Sequence, residues 1–120
     1  MSNLNTQSPL ITACRHVESP SAVVAQLAGE IDLHNSPPLR GDLIGLIDEY
    51  RPDRLVLNMA AVPYVDSSAI AVMVECLRML RPAGGKLYLT DLQPRVKALL
   101  EMAKLDSIFE LVPDEQAALA

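Results

Sequence analysis

Residues 54–74, RLVLNMAAVPYVDSSAIAVMV, constrain this chain more than any other stretch. Leu55, Val56 and Leu57 form a short apolar run that reads as a buried strand. Asn58 and Pro63 interrupt it, and Asp66-Ser67-Ser68 follows. Ile70, Met73, Val74, Leu77 and Leu80 then recur at helical spacing, which predicts a helix with those residues inward. A strand thus enters a polar loop that delivers two hydroxyls to the start of a helix. Loops held by rigid elements are where binding groups gather.

The 120-residue chain is of one-domain length, enough for a single core. Its apolar half is aliphatic: aromatics are 3% of residues, with one Phe and no Trp, so helices pack on a sheet through Leu, Val, Ile and Ala. A nucleic-acid platform normally needs stacking rings and excess basic charge, and the net charge is -5. Direct nucleic-acid binding is therefore not expected. Cys14 and Cys76 stand in unrelated contexts and read as small buried thiols of a reducing compartment. The N-terminus lacks the basic-then-apolar pattern of a signal peptide, and no apolar run reaches the roughly 18 residues of a membrane span. The expectation is a soluble, cytoplasmic protein.

Polar residues 1–9 are expected to be a flexible lead-in to a single domain over 10–119. Ile11–Val17 and Ala22–Leu27, separated by Glu18-Ser19-Pro20-Ser21, predict a hairpin. Gly29 is a place where a side chain would obstruct. Asn35 or Ser36 is the expected cap of a helix with Pro37 in its first turn and Leu39, Leu43, Leu46 and Ile47 inward. Strands follow at 54–58 and 86–89, a helix carries Val96, Leu99, Leu100 and Ala103 inward, and a strand at 108–112 precedes a last short helix. Met79 and Met102 fit either the core or a small exposed patch. Strands alternating with helices imply mainly parallel pairing, with the hairpin adding an antiparallel edge.

Several chemistries fit parts of this pattern and fail on the rest. A nucleophilic serine at 67 or 68 needs a base within reach; His16 and His34 lie far off in sequence, and the Gly-x-Ser-x-Gly elbow is absent. Glu30 and Asp32 could act as a carboxylate pair only in a cleft that separates their pKa values, and few other polar groups converge there. Asp32 and Asp66 offer oxygens for Mg²⁺, with no dedicated loop. Gly84-Gly85 precedes a strand and reads as a turn, not a phosphate loop. No cofactor, metal or enzymatic activity is expected. Capping of the helix needs one of Asp66, Ser67 and Ser68, worth about 1 kcal/mol. The surplus at an exposed helix N-terminus suits phosphorylation of a serine, because free N–H groups and the helix dipole accommodate a phosphate.

Three stretches, LAGEIDLHNSPPL at 27–39, RLVLNMAAVPYVDSSAIAVMV at 54–74 and GGKLYLTDLQPRVKALLEMAKLDSIFEL at 84–111, resemble the STAS domain family. The likeness is to the stand-alone bacterial anti-sigma factor antagonists in particular. It implies an α/β fold: a small mixed, mainly parallel β-sheet with an N-terminal hairpin and about four α-helices packed mainly on one side. It also implies a protein that binds an anti-sigma factor with serine kinase activity and thereby releases a sigma factor. Phosphorylation by that kinase blocks binding, and a PP2C-type phosphatase restores it. By position the phosphoacceptor is Ser68, and Asp32, Asp66, Ser67, Ser68 and Ala69 lie on the contact surface. The family usually has glycine where this chain has Ala69, and a second glycine is common where it has Ala71. Two alternatives are a STAS scaffold subunit of a larger signalling assembly and a nucleotide-binding module.

Overall fold

The computed structural model describes residues 4–120. The elements are β1 (Ile11–Glu18), β2 (Ser21–Ala28), α1 (Ser36–Tyr50), β3 (Arg54–Ala61), α2 (Ser67–Leu80), β4 (Lys86–Thr90), α3 (Pro94–Met102), β5 (Glu110–Val112) and α4 (Glu115–Leu119). Five strands form one sheet in the order β1-β2-β3-β4-β5. β1 and β2 are antiparallel and every other neighbouring pair is parallel. The element order and mixed sheet are those expected from the alternation of strand and helix patterns.

The parallel strands are covered on both faces, which is why they read as unbroken apolar runs. Val23, Ala25, Leu27, Leu55, Leu57, Met59, Leu87 and Leu89 face α1, α2 and α3 in the main core. Their alternates Val24 and Val56 face the other way, packing with Ala118 of α4 and the partly buried Tyr88 and Val112. Three helices therefore share one side, and α4 covers part of the other. Glu115 is the polar anchor of that short helix. It accepts hydrogen bonds from Arg15 (3.0 Å), Asn58 (2.7 Å) and Gln26 (3.4 Å), one donor from each of three adjacent strands. Burial alone would raise its carboxyl; the hydrogen bonds from Asn58 and Arg15 and the Arg15 charge more than offset this and hold it below the usual glutamate range.

The buried side of α2 matches the expected one in part. Ala69, Val72, Met73, Cys76, Leu77 and Leu80 are buried, while Ile70 and Val74 are half-exposed on the outer side. Met73, Leu77 and Leu80 are inward as expected and Val74 packs at the edge of the core; the difference is that Ala69, Val72 and Cys76 complete the buried side and Ile70 does not. α1 packs closely enough against α2 that small Ala69 and Cys76 suit the buried line. Ala103, expected inward, is exposed, and so is Met102. After α2 the chain continues into a 3₁₀ turn at Arg81–Ala83, with Gly84 left-handed at φ 77°. A Cβ at Gly85 would meet the Leu80 carbonyl oxygen at 3.0 Å, so this position needs glycine for close approach. At Gly29 the reason differs from the one expected. A Cβ there would meet only Leu10 at 3.7 Å, and it is the φ of +94° that favours glycine.

Of the lead-in over 1–9, residues 1–3 lie outside the described residues. Beyond them, the Leu4 N–H donates to the Cys14 carbonyl, and the Asp42 carboxylate accepts from the backbone of Gln7 and Ser8. Cys14 and Cys76 are free and buried, and burial pushes their thiols up to about 11 and about 12. Both are protonated at neutral pH, which removes the thiolate that sulfur chemistry requires.

Leu57, 1% exposed at the centre of the sheet, tests the packing. Leu57→Ala is expected to lower unfolding free energy by about 2–5 kcal/mol in urea titrations, whereas Met79→Ala on the surface changes it by less than about 0.5 kcal/mol. Equal effects at the two positions would contradict this assignment of core and surface.

Candidate functional site

Parallel strands put their C-terminal ends, and the loops that follow, on one edge of the sheet. Here the loops after β2 and β3 run side by side. Ile31 and Val65 form an isolated parallel bridge: the Ile31 N–H donates to the Tyr64 carbonyl at 3.1 Å, and the Asp66 N–H donates to the Ile31 carbonyl at 3.1 Å. Ile31 and Val65 are both buried beneath the loops. Residues 30–35 and 64–69, separate in sequence, thus become one surface.

Each loop is organised by a carboxylate. Asp32 accepts from the His34 N–H (2.9 Å) and the Asn35 N–H (3.2 Å), closing a tight turn of its own. Asn35 occupies the capping position of α1, but its side chain makes no capping bond there. It instead accepts from the Asp32 N–H (2.8 Å) and donates to the Glu30 carbonyl (2.8 Å). The expected cap at Asn35 or Ser36 is replaced by a cross-tie within the loop. Pro37 and Pro38 then occupy the first turn of α1, where missing N–H groups leave no bond unmade.

Asp66 caps α2 with an extended backbone. One carboxylate oxygen accepts from the Ser68 N–H (2.8 Å), the Ala69 N–H (3.3 Å) and the Ser68 hydroxyl (2.5 Å). Its other oxygen accepts from the Leu33 N–H across the loop boundary at 3.1 Å. The Ser68 hydroxyl is the largest influence on the Asp66 carboxyl and holds it below the usual aspartate range. Desolvation works against this, and the backbone donors at Ala69, Ser68 and Leu33 reinforce it.

The expected site residues fall unevenly across this surface. Ser67 is exposed, and Ser68, Asp32 and Asp66 are half-buried. Ala69 is 1% exposed, so its side chain belongs to the core and only its backbone takes part in the junction. It is an ordinary helical residue inside α2, and the position makes no demand for glycine. Asp32 and Asp66 share an edge without sharing a ligand set. Among the described residues no cluster of His, Cys, Asp and Glu could hold a metal. Glu30 is exposed and engages the loop through its carbonyl.

Two contributors were not anticipated. Leu33 is 70% exposed, a large apolar side chain standing among the acidic residues of the loop. A Leu directly after Asp32, outside any periodic stripe, was the available signal. The second is the outer side of α2, where Ser67, Ile70, Ala71, Val74 and Arg78 line a shallow depression. Glu75 on its border forms a two-pronged pair with Arg40 at 2.7 and 2.6 Å, tying α2 to α1.

A family model for the STAS domain matches residues 14–118. The chain belongs to the STAS domain family. It is 28% identical over 97 residues to an anti-sigma F factor antagonist of Paenibacillus polymyxa, covering 81% of this chain and 83% of that one. It is 32% identical over 89 residues to an anti-sigma-B factor antagonist of Bacillus subtilis strain 168, covering 74% and 80%. The Bacillus cell fate determinant SpoIIAA in its phosphorylated form matches with a TM-score of 0.67 and 21% identity over 87% of this chain and 93% of that one, a likeness of fold. STAS domains of this kind are regulatory rather than catalytic. Among the described residues no helix is long and apolar enough to cross a membrane.

The depressed pKa of Asp66 sets a pH signature. A carboxylate stabilised on folding contributes fully above its unfolded pKa, and the contribution is lost as pH falls through the folded value. Asp66→Ser keeps a capping oxygen but no charge. The Tm gap between wild type and this variant is expected to be widest near neutral pH and to close toward about pH 2. A gap of constant size across that range would show that the charge contributes nothing.

Proposed function

We propose that this STAS domain is an anti-sigma factor antagonist controlled by phosphorylation of Ser68. In its unmodified form it binds an anti-sigma factor with serine kinase activity, so that the sigma factor is released. Phosphorylation by that kinase ends the interaction, and a PP2C-type phosphatase reverses it. The switch operates in the cytoplasm, where both partners and ATP are found.

The observation that carries this reading is the Ser68 hydroxyl: half-buried, hydrogen-bonded to the capping Asp66, and set at the N-terminus of a 14-residue helix in the surface formed by residues 30–35 and 64–69. Two curated relatives named as anti-sigma factor antagonists, each matched over roughly three quarters or more of this chain, support the same conclusion. A phosphoryl group at this point adds close to two negative charges next to Asp66. The first-turn N–H groups now held by Asp66 can turn to the phosphoryl oxygens, so α2 stays folded while the docking surface gains negative charge and changes shape. Asp32, Asp66 and Ser67 lie within or beside that surface, and a phosphoryl charge buried there without a partner opposes docking.

Incubation with the cognate kinase and ATP, followed by peptide mapping, is expected to put phosphate on Ser68. In pull-downs, wild type and Ser68→Ala retain the kinase and Ser68→Asp loses it. Phosphate on Ser67, or undiminished retention of Ser68→Asp, would overturn the assignment.

A further inference from the structure

The Asp66 carboxylate serves two partners at once. With one oxygen it holds the hydroxyl and N–H of Ser68; with the other it holds the backbone N–H of Leu33. We propose that Asp66 is a relay that carries the state of Ser68 to the loop after β2, so that a phosphoryl group on Ser68 releases Leu33 from the docking surface. This rests on the reading of Ser68 as the modified residue and adds how its modification reaches a second loop.

Three physical effects act in the same direction. The bridging oxygen of a phosphoserine carries no proton, so it cannot donate the hydrogen bond that the Ser68 hydroxyl gives Asp66. The phosphoryl charge repels the adjacent carboxylate. The phosphoryl oxygens also compete for the Ser68 and Ala69 N–H groups that Asp66 now occupies, because those donors point out of the N-terminus of α2. Losing the hydroxyl bond alone leaves the two backbone donors in place; it is the phosphoryl charge and the competition for those donors that displace the carboxylate, and Leu33 loses its partner when it moves.

What remains in the loop localises the change. Ile31 keeps its backbone bonds to Tyr64 and Asp66, and Asn35 keeps its ties to Glu30 and Asp32. Leu33 has no comparable second hold: its side chain is 70% exposed, and its N–H is donated to Asp66. The freed residue is a large exposed apolar group set among the acidic residues of the proposed docking surface. Modification of Ser68 therefore weakens docking in two ways, by charge at α2 and by loss of the fixed position of Leu33.

The test uses the intact chain with phosphoserine installed at position 68 by an expanded genetic code, so that no kinase is involved. Water exchange of the Leu33 amide, read by NMR, is expected to rise about fivefold on phosphorylation, the change that goes with losing one hydrogen bond of net strength near 1 kcal/mol. Ser68→Ala leaves it unchanged, because the two backbone donors still hold Asp66. Asp66→Ser, which keeps a cap for α2, raises it to the same extent, and phosphoserine at 68 in that background adds nothing further. The Ile31 amide stays protected throughout. A Leu33 amide indifferent to phosphoserine, or one that responds equally with and without Asp66, overturns the relay. Loss of kinase binding on phosphorylation with Leu33 unchanged also removes the relay and leaves the Ser68 switch standing. A Leu33 response without any loss of kinase binding keeps the relay and removes the switch.

Discussion

The proposed docking edge depends on one arrangement: the bridge between Ile31 and Val65, closed at its end by the Asp66 carboxylate. Without the bridge, the loops after β2 and β3 would be two separate excursions from the sheet. With it, a turn built around Asp32 and a helix start built around Asp66 share a backbone hydrogen-bond network. A carboxylate that accepts four hydrogen bonds from both loops also makes that network sensitive to charge.

The rest of the fold holds this edge still. The central strands are buried on both faces, by three helices on one side and by α4 on the other. The Arg40–Glu75 pair fixes α1 against α2 close to the junction, and both helices begin in the site loops. Being exposed, this pair matters more for relative position than for stability. Rigidity below and a shared hydrogen-bond network above are what the proposed switch at Ser68 requires: a local change of surface with the fold intact.

The order of elements along the chain and the strand–loop–helix junction were legible because the signals are local. Leu55-Val56-Leu57 and the Asp66 cap are written within a few residues of where they act. The buried side of α2 was legible at Met73, Leu77 and Leu80 but not at its edge, where packing against α1 and the sheet buries Ala69, Val72 and Cys76 and leaves Ile70 half-exposed. Asn35 illustrates a different failure. A cap-type residue before a helix has other acceptors and donors available, and here the loop claimed it. The Glu115 anchor joins residues 57 to 100 positions apart, and Leu33 meets Asp66 across 33. Such pairings follow from strand order and register, not from composition or spacing.

The central claim is that the edge formed by residues 30–35 and 64–69 is the docking surface. It is tested most directly by titrating the isotopically labelled chain with its unlabelled anti-sigma partner and mapping the amide shifts. The account predicts that the largest changes fall on those two segments, continue along the outer side of α2 through Val74 and Arg78, and leave α4 and the Met79–Ala83 end unaffected. Changes centred on α4, Tyr88 and Val112 would place the interface on the opposite face of the sheet and contradict it.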